Sequence, residues 1–449
     1  MKKSDSMNYE ITDLLKKDGF SCECGKKHFA KVKDVVIEEG AIKKIPDLVK
    51  KYGAESVFIF ADENTYKAAG EQVEAVLTAG GIKFSHYIFT GERFEPDEKI
   101  MGSAILHFDP SCDMLITVGT GSLNDTGKIV ANLANKPYMI VGTAPSMDGF
   151  ASATSSMIID NLKISVNSKC PEIVVGDIDV LKNAPLKMIQ AGLGDILAKY
   201  VSIAEWKLAQ LVNGEYYCPL VADIINAVLK KCVDNAAGIT ERKPEAVKAV
   251  MEAMVLSGIA ANYAGISNPV SGTEHYFSHI WDMRALEFGT PFDLHGIQCG
   301  IGTLLTLRVY DHLKTLKPDK EKALAAVSAF DYAKHCRFLK ENLGKSAEAM
   351  IEKEKSEGKY LAENHKRRLE ALFENYDEVL KIVDELPTYA DVEAILDLCG
   401  APKFPADIGI TEAETRNAFI MTKDIRAKYV VSRFLWDIGE EENAVNALF

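Results

Sequence analysis

The segment DMLITVGTGSLNDTGKIVANLA, residues 113–134, joins an apolar run, a glycine-containing turn and an amphipathic run. An apolar strand that leads through such a turn into a helix is typical of a parallel sheet with crossover helices. Gly119 and Gly121 would let backbone N–H groups approach a pyrophosphate, and a helix predicted from near Asn124 adds its N-terminal dipole. Position 124 lacks the third glycine of the usual fingerprint, and such turns also occur without a ligand. The turn alone therefore leaves dinucleotide binding open.

Further β-rich runs flank this segment on both sides. They are VFIF at 57–60, KFSHYIF at 83–89, PYMIVGT at 137–143 and EIVVGDI at 172–178. After about residue 183 such runs nearly vanish and helical periodicities take over, including Glu- and Lys-rich amphipathic stretches at 344–385. The sequence predicts an α/β N-terminal domain with a parallel, Rossmann-like sheet over residues 1–182. An all-α C-terminal domain is expected over residues 183–449.

Composition excludes several classes of protein. A chain of 449 residues with 47% hydrophobic content can bury more than one core. The net charge of −13, without a basic stripe, opposes binding to a nucleic acid. No apolar run is long enough for a signal peptide or a membrane span, so no membrane partner is expected. Nine scattered cysteines favour reduced thiols, and we expect a cytoplasmic protein.

Three histidines and one carboxylate form the strongest candidate for a chemical site. His275 and His279 in SGTEHYFSHIWD stand four residues apart, on one face of a predicted helix, and His295 opens the next helix. A zincin motif is excluded, because Tyr276 stands where that motif needs glutamate. Asp195 is a lone carboxylate in an apolar helix and needs a partner if buried. A metal ion bound by one carboxylate and two imidazoles, with an open position for substrate, would account for these residues. The alternative is that His275 and His279 are a packed pair of core histidines.

A polar loop follows the predicted strand at 137–143. Its sequence, GTAPSMDGFASATS, includes the hydroxyls of Thr143, Ser146 and Ser152 and the carboxylate of Asp148. These groups would grip a polar ligand, although an ordinary polar loop has the same composition. Asp62, after the VFIFA run, would accept a hydrogen bond from an adenosine ribose, or is simply a carboxylate at a strand end.

Cysteines add two weaker candidates. Cys22, Cys24 and His28 in CECGKKH resemble half of a zinc ligand set, but the sequence shows no second half. Cys299 lies four residues after His295 and is interpreted as a small buried apolar residue.

An ordered set of motifs gives the chain a family resemblance. The motifs are GTGSLND, TAPSMDGFAS, GLGD, GTEHYFSH and LHGIQCGIG. Together they resemble the iron-containing alcohol dehydrogenase and dehydroquinate synthase superfamily over roughly residues 30–330. The PSMDGFAS loop and the EHxxSH helix look like the sn-glycerol-1-phosphate dehydrogenase branch. Residues from about 340 to 449 extend beyond the shared core.

The resemblance implies roles for particular residues. It implies metal ligation by Asp195, His275 and His295, with His279 and Asp148 contacting the substrate and Asp195 serving both metal and substrate. Cofactor contacts are implied, besides Asp62, for Gly121, Ser122, Leu123, Asn124, Asp125, Thr143, Ala144, Pro145, Ser146 and Ser152. The cofactors would be NAD or NADP and one divalent metal ion, with zinc favoured and nickel or iron as alternatives.

The implied reaction is the reversible reduction of dihydroxyacetone phosphate to sn-glycerol 1-phosphate by metal-assisted hydride transfer, a step in phospholipid metabolism. Lys199 and Arg284 are candidates for the substrate phosphate. A homodimer or larger homo-oligomer is expected. The alternatives are a glycerol dehydrogenase or another polyol or sugar phosphate dehydrogenase, a lyase like dehydroquinate synthase, and a non-catalytic regulator that binds metal or nucleotide.

Overall fold

A computed structural model describes residues 9–15, 19–91, 94–160 and 162–449. The first eight residues lie outside this description. The predicted absence of a signal peptide concerns this N-terminal segment and stays a prediction. The chain forms two compact units. The first unit consists of residues 1–196 and 223–266, and the second of residues 197–222 and 267–449. This division differs from the single boundary predicted at residue 182, because the segment 223–266 belongs to the strand-containing unit. The dinucleotide role of the predicted N-terminal domain, and the metal and substrate role of the helical one, stay predictions.

The strands of the described chain all lie in the first unit. They are β1 (Phe20–Ser21), β2 (Lys27–His28), β3 (Asp34–Glu38), β4 (Ser56–Asp62), β5 (Lys83–Phe89), β6 (Met114–Gly119), β7 (Tyr138–Gly142), β8 (Thr154–Ile159), β9 (Leu162–Asn167) and β10 (Ile173–Asp177). Six of them form one parallel sheet in the order β3-β10-β7-β6-β4-β5. The pairs β1-β2 and β8-β9 are antiparallel hairpins. The predicted α/β fold with a parallel sheet is confirmed.

The central strands are buried along their whole length, as strands covered on both faces must be. Every residue of β6, β7 and β10 is buried. The apolar side chains of one face pack with the first helices of the unit into a single core that includes Ile59, Ile116, Val141 and Val175. The sheet therefore forms a rigid support for the loops at its carboxyl edge.

Most of the remaining regular structure is α-helical, with a few short 3-10 and π-helical turns. Up to the end of the sheet they are α1 (Ile11–Leu14), α2 (Ile45–Lys51), α3 (Glu63–Thr65), α4 (Glu71–Ala79), α5 (Glu98–His107) and α6 (Gly121–Ala134). After β10 follow α7 (Ile178–Leu181), α8 (Leu186–Leu197), α9 (Lys199–Asn213), α10 (Pro219–Asn235), α11 (Pro244–Ala264), α12 (Thr273–Phe288), α13 (His295–Thr315), α14 (Lys320–Ser328) and α15 (Tyr332–Leu343). The chain ends with α16 (Ser346–Ser356), α17 (Ala362–Glu374), α18 (Tyr376–Asp384), α19 (Tyr389–Leu398), α20 (Glu412–Thr422), α21 (Val431–Asp437) and α22 (Glu441–Asn446).

The helical character predicted after residue 183 is confirmed, since the described residues beyond β10 contain helices and no strand. The Glu- and Lys-rich stretch folds as α16 to α18, each of which buries one apolar stripe, such as Val379 and Val383 of α18. None of the described helices is long and apolar enough to cross a bilayer. All nine cysteines are thiols rather than disulfides.

Candidate functional site

The glycine turn between β6 and α6 begins the candidate coenzyme site. Helix α6 starts at Gly121, one turn before the predicted start at Asn124, after an extended Thr120. Gly121 has a φ of +23°, a conformation that side-chain-bearing residues rarely adopt. Because β6 and β7 are adjacent parallel strands, the loops at their carboxyl ends meet. Thr120 Oγ1 lies 2.9 Å from Ser146 Oγ, and Thr143 N donates to Gly119 O at 3.1 Å.

Several predicted cofactor residues use their side chains to hold this region together. Asn124 is fully buried, donates to Gly149 O at 3.1 Å and accepts from the Tyr138 hydroxyl at 3.0 Å. Asp125 Oδ2 accepts from Ser156 N at 3.0 Å. Leu123 packs so closely on Gly119 that a Cβ there would lie 2.5 Å from its Cδ1. Because these side chains bond within the protein, a ligand would bind mainly the backbone of this turn. Contacts from these residues to a cofactor stay predictions.

Lys128 is an important residue that the sequence analysis missed. Its side chain is fully buried, and Nζ contacts Asp125 Oδ1 at 2.8 Å. The same ammonium donates to Thr154 O at 2.7 Å, Ser152 Oγ at 3.1 Å and Gly149 O at 3.2 Å. Lys128 thereby fastens α6 to the loop that carries Asp148 and Ser152. A lysine three residues after an aspartate in an apolar helix was the only clue.

Asp62 caps a helix. Its Oδ1 accepts from Asn64 N at 2.9 Å and from Thr65 N at 2.7 Å, and Asp62 N donates to Thr65 Oγ1 at 3.0 Å. This reciprocal pattern is a capping box at the start of α3. The carboxylate stands at the end of β4, as predicted, and its contact with a ribose stays a prediction.

Asp195 lies buried on α8 beside the loop of Asp148. Its Oδ2 accepts from Asp148 N at 3.0 Å, and Asp148 Oδ2 in turn accepts from Ser257 Oγ at 2.9 Å. The approach of α8 to this loop requires Gly192, since a Cβ there would lie 1.9 Å from Pro145 O. The predicted metal and substrate carboxylates of the first unit are therefore neighbours, and α8 also abuts the predicted cofactor segment 143–146.

The three histidines of the second unit come together as the spacing predicts. His275 and His279 lie on successive turns of α12, with ring centroids 6.5 Å apart. His295 begins α13, and its ring lies 5.2 Å from that of His275 and 5.7 Å from that of His279. His275 is buried, whereas His279 and His295 are half-buried.

The Nδ1 atoms of two of these rings have polar partners. His275 Nδ1 donates to Glu274 Oε1 at 2.8 Å, and His295 Nδ1 lies 2.9 Å from Ser278 Oγ. Partners of this kind orient metal-binding imidazoles through the ring nitrogen that does not bind the ion. Ligand atoms of His275, His295 and Cys299 lie within 4.8 Å of one another, which suits nitrogens about 2.0–2.1 Å from one ion. The arrangement fits a divalent metal.

Cys299 is buried, as expected, but it also belongs to this cluster, with Sγ 3.5 Å from His295 Nε2. Burial raises the pKa of the thiol, but His275 and His295 outweigh that effect and leave the pKa below its ordinary value. A second set of ligand atoms, from His279, Asp282 and His295, also lies within 4.8 Å. Two overlapping sets of candidate metal ligands thus share His295.

The two candidates for a substrate phosphate have other contacts. Lys199 is buried, and its Nζ donates to Val270 O at 2.9 Å. Arg284 donates to Asn342 O at 2.8 Å and pairs with Glu414 at 3.4 Å. The Lys199 contact joins α9 to the segment before α12, and the Arg284 contacts join α12 to α15 and α20, all within the second unit.

The chain is similar to known proteins over most of its length. Residues 36–185 match the family model of iron-containing alcohol dehydrogenase. A glycerol-1-phosphate dehydrogenase [NAD(P)+] from Halalkalibacterium halodurans is 28% identical over 412 residues, which cover 91% of this chain and 93% of the relative. The enzyme of the same name from Bacillus licheniformis is 30% identical, with 68% of this chain and 77% of the relative covered.

Solved structures show the same fold. A glycerol dehydrogenase from Schizosaccharomyces pombe superposes with a TM-score of 0.64 at 16% identity, over 94% of this chain and 90% of that one. The sequence similarity to the curated relatives carries the argument further than the fold. It establishes that the chain belongs to the NAD(P)-dependent glycerol-1-phosphate dehydrogenase family of oxidoreductases, within the iron-containing alcohol dehydrogenase superfamily.

Proposed function

We propose that the protein catalyses the reversible, NAD(P)-dependent reduction of dihydroxyacetone phosphate to sn-glycerol 1-phosphate. The observation that carries this proposal is the pair of imidazoles, His275 and His295, each with its Nδ1 engaged by a neighbouring side chain. A metal site depends on such orientation, and the ligand atoms of these two rings and of Cys299 lie within 4.8 Å of one another. The names of the similar enzymes from Halalkalibacterium halodurans and Bacillus licheniformis support the choice of substrate.

One divalent metal ion would be held by Asp195, His275 and His295. A bound metal of this kind polarises the substrate oxygen at C2 and stabilises negative charge on it. Zinc is the favoured ion, and nickel or iron are alternatives with the same ligand types. The Glu274 carboxylate, which accepts from His275 Nδ1, fixes the orientation of that imidazole and leaves Nε2 for the metal.

His279 would transfer the proton. Its imidazole lies beside His295 and is half-buried, so it can exchange a proton with the substrate oxygen on one side and with water on the other. Asp148, held by Ser257, would accept a hydrogen bond from a substrate hydroxyl. Together these side chains would fix the substrate so that C2 is presented to the nicotinamide.

The coenzyme, NAD or NADP, would supply or accept the hydride. Its pyrophosphate would bind the backbone amides at the start of α6, a 14-residue helix, where the helix dipole favours negative charge. The segments Gly121–Asp125 and Thr143–Ser146, together with Ser152 and Asp62, would complete the site. We propose further that the enzyme works in the cytoplasm, where its nine thiols stay reduced, as a homodimer or larger homo-oligomer.

The test is a steady-state assay after metal removal and reconstitution. The chelated protein is reloaded separately with zinc, nickel or iron, and oxidation of NADH and NADPH is followed with dihydroxyacetone phosphate and with dihydroxyacetone. The reverse reaction is measured with both enantiomers of glycerol phosphate and with glycerol.

We expect no turnover without metal, turnover of dihydroxyacetone phosphate after reloading, and oxidation of the 1-phosphate enantiomer alone. Preference for unphosphorylated dihydroxyacetone and glycerol would instead identify a glycerol dehydrogenase. Full activity of the chelated protein would refute the proposed role of the metal.

A further inference from the structure

The CECGKKH segment forms a compact hairpin turn in the first unit. Strands β1 and β2 pair in antiparallel register, with Phe20 opposite His28. The turn between them is closed by two backbone bonds, from Cys22 N to Lys26 O and from Gly25 N to Cys22 O, both 3.0 Å long. Gly25 has a φ of +85°, which glycine adopts without strain. The hairpin thus fixes the positions of the two cysteines relative to the histidine.

These three side chains converge. The ligand atoms of Cys22, Cys24 and His28 all lie within 4.8 Å of one another, and Cys24 Sγ is 3.3 Å from His28 Nε2. Two sulfurs and one imidazole nitrogen at such separations match the spacing around a single tetrahedral ion, with Zn–S near 2.3 Å and Zn–N near 2.0–2.1 Å.

His28 is oriented as a metal ligand would be. Its side chain is fully buried, and Nδ1 lies 2.8 Å from Tyr263 O at the end of α11. A carbonyl oxygen only accepts, so Nδ1 carries the hydrogen and Nε2 presents its lone pair toward Cys24. The ring also stacks on Tyr263, with centroids 5.4 Å apart. The backbone carbonyl thus sets both the tautomer and the direction of the imidazole.

We propose that Cys22, Cys24 and His28 bind a structural zinc ion, separate from the metal of the proposed catalytic site. Thiolate and imidazole ligands together select zinc over the hard cations magnesium and calcium. Binding would release the two thiol protons to solvent, leaving two thiolates and a neutral imidazole on the ion. The hairpin supplies three of the four ligands of a closed tetrahedral site. By crosslinking β1 and β2 beside Tyr263, the ion would anchor the N-terminal hairpin to α11.

The experiment measures zinc, nickel and iron per chain in four full-length proteins purified in parallel. They are the wild type, C22S/C24S, H275A and C336S. H275A removes a ligand of the proposed catalytic metal, and C336S removes a half-exposed thiol of the second unit as a matched control. X-ray absorption at the zinc edge then counts the sulfur neighbours of the ion that H275A retains.

We expect two metal ions in the wild type and in C336S, and a loss of one in each of the other variants. The ion retained by H275A should have at least two sulfur neighbours. If the catalytic-metal proposal alone is wrong, H275A and the wild type would contain the same total of zinc, nickel and iron, and only C22S/C24S would lose an ion. Zinc content unaffected in C22S/C24S, or an ion without sulfur neighbours in H275A, would refute the inference.

A second measurement covers the case in which C22S/C24S does not fold. Wild-type protein is grown with cobalt in place of zinc, and its near-ultraviolet spectrum is recorded. Thiolate ligation gives an intense sulfur-to-cobalt charge-transfer band, whereas a site of nitrogen and oxygen ligands does not. The H275A variant, grown with cobalt in the same way, should show this band at full intensity. Absence of the band from the H275A spectrum would contradict a site at Cys22 and Cys24.

Discussion

His275 and His279 stand one helical turn apart on α12, yet we assign them different tasks. His279→Ala should retain the metal and bind NADH but lose kcat by about 100- to 10,000-fold, the usual contribution of a general acid or base. His275→Ala should lose the metal itself. Metal content, melting temperature and reduction of dihydroxyacetone phosphate are measured for both variants side by side.

If the metal is bound instead by the overlapping set of His279, Asp282 and His295, the two variants should show the opposite metal contents. A metal bound there would be lost in His279→Ala and retained in His275→Ala. A packed pair of core histidines would lower the melting temperature in both variants without a selective effect on turnover. Each alternative therefore gives its own pattern of metal content and activity.

The sequence predicts the histidine cluster but not the residues that orient it. The spacing of His275 and His279 places both on one helical face whatever surrounds them. The roles of Glu274 and Ser278 depend on side-chain directions that only the packing of α12 against α13 determines. For the same reason the sequence predicts neither the four contacts of Lys128 nor the capping role of Asp62.

At the scale of elements, the cap of α3 allows a test of coenzyme preference that leaves the helix intact. Asp62→Asn keeps an oxygen for the cap but removes the charge that would repel the 2′-phosphate of NADPH. The ratio of kcat/KM for NADPH to that for NADH should rise in this variant. Glu63→Gln, a neighbouring exposed carboxylate, serves as the control. An unchanged ratio in Asp62→Asn would leave Asp62 as a helix cap only.

The attachment of α6 to the 148–154 loop should depend on Lys128. Lys128→Met keeps the volume but leaves the Asp125 carboxylate, whose side chain is 13% exposed, without its cationic partner. Breaking a buried pair in this way typically costs about 3–5 kcal/mol. Urea unfolding should show this loss, while Lys67→Met, at an exposed position, should leave the midpoint unchanged. Equal midpoints for the two variants would show that the loop is fastened by other contacts.

Strand prediction succeeds for the buried strands and for the edge strand β5, whose run KFSHYIF is rich in aromatic residues. The runs that form β4, β6, β7 and β10 are continuous and apolar because both faces of the sheet are covered. The edge strand β3, with mostly half-buried residues, and the hairpin β8-β9 carry a weaker pattern and were not predicted as strands. The segment 223–266 joins the first unit through tertiary packing, which periodicity does not encode.

Across the whole molecule, stability should depend on pH through Glu354 of the second unit. The side chain is buried, Oε1 accepts from the Tyr332 hydroxyl at 2.7 Å, and a carboxylate oxygen of Glu354 lies within 4.8 Å of one of Asp424. Burial, together with the charge of Asp424, raises the pKa of Glu354 to about 7 from its ordinary value of 4.5. The protonated form therefore stabilises the folded state, and this contribution is lost as the pH rises from about 4.5 to about 7.

Glu354→Gln should remove that pH dependence, because glutamine stays neutral and still accepts from Tyr332. Above pH 7 the variant should be more stable than the wild type by about 1–3 kcal/mol, and near pH 4.5 the two should be equal. Unfolding free energies at several pH values provide the test. Glu352→Gln, exposed on the same helix, should follow the wild-type curve. A Glu354→Gln variant less stable than the wild type at pH 8 would contradict this account.

The strand order of the sheet also has a consequence for synthesis on the ribosome. Strand β3 is made first of the six, but its neighbour in the sheet is β10, which is made last. At about 5–20 residues per second, the ribosome leaves the nascent β3 without its partner for on the order of ten seconds. Strands β4, β5, β6 and β7 can pair with one another during that interval. The edge of the sheet formed by β3 is therefore completed late. A chaperone that shields residues 34–38 during this interval would protect the strand when it is most exposed to aggregation.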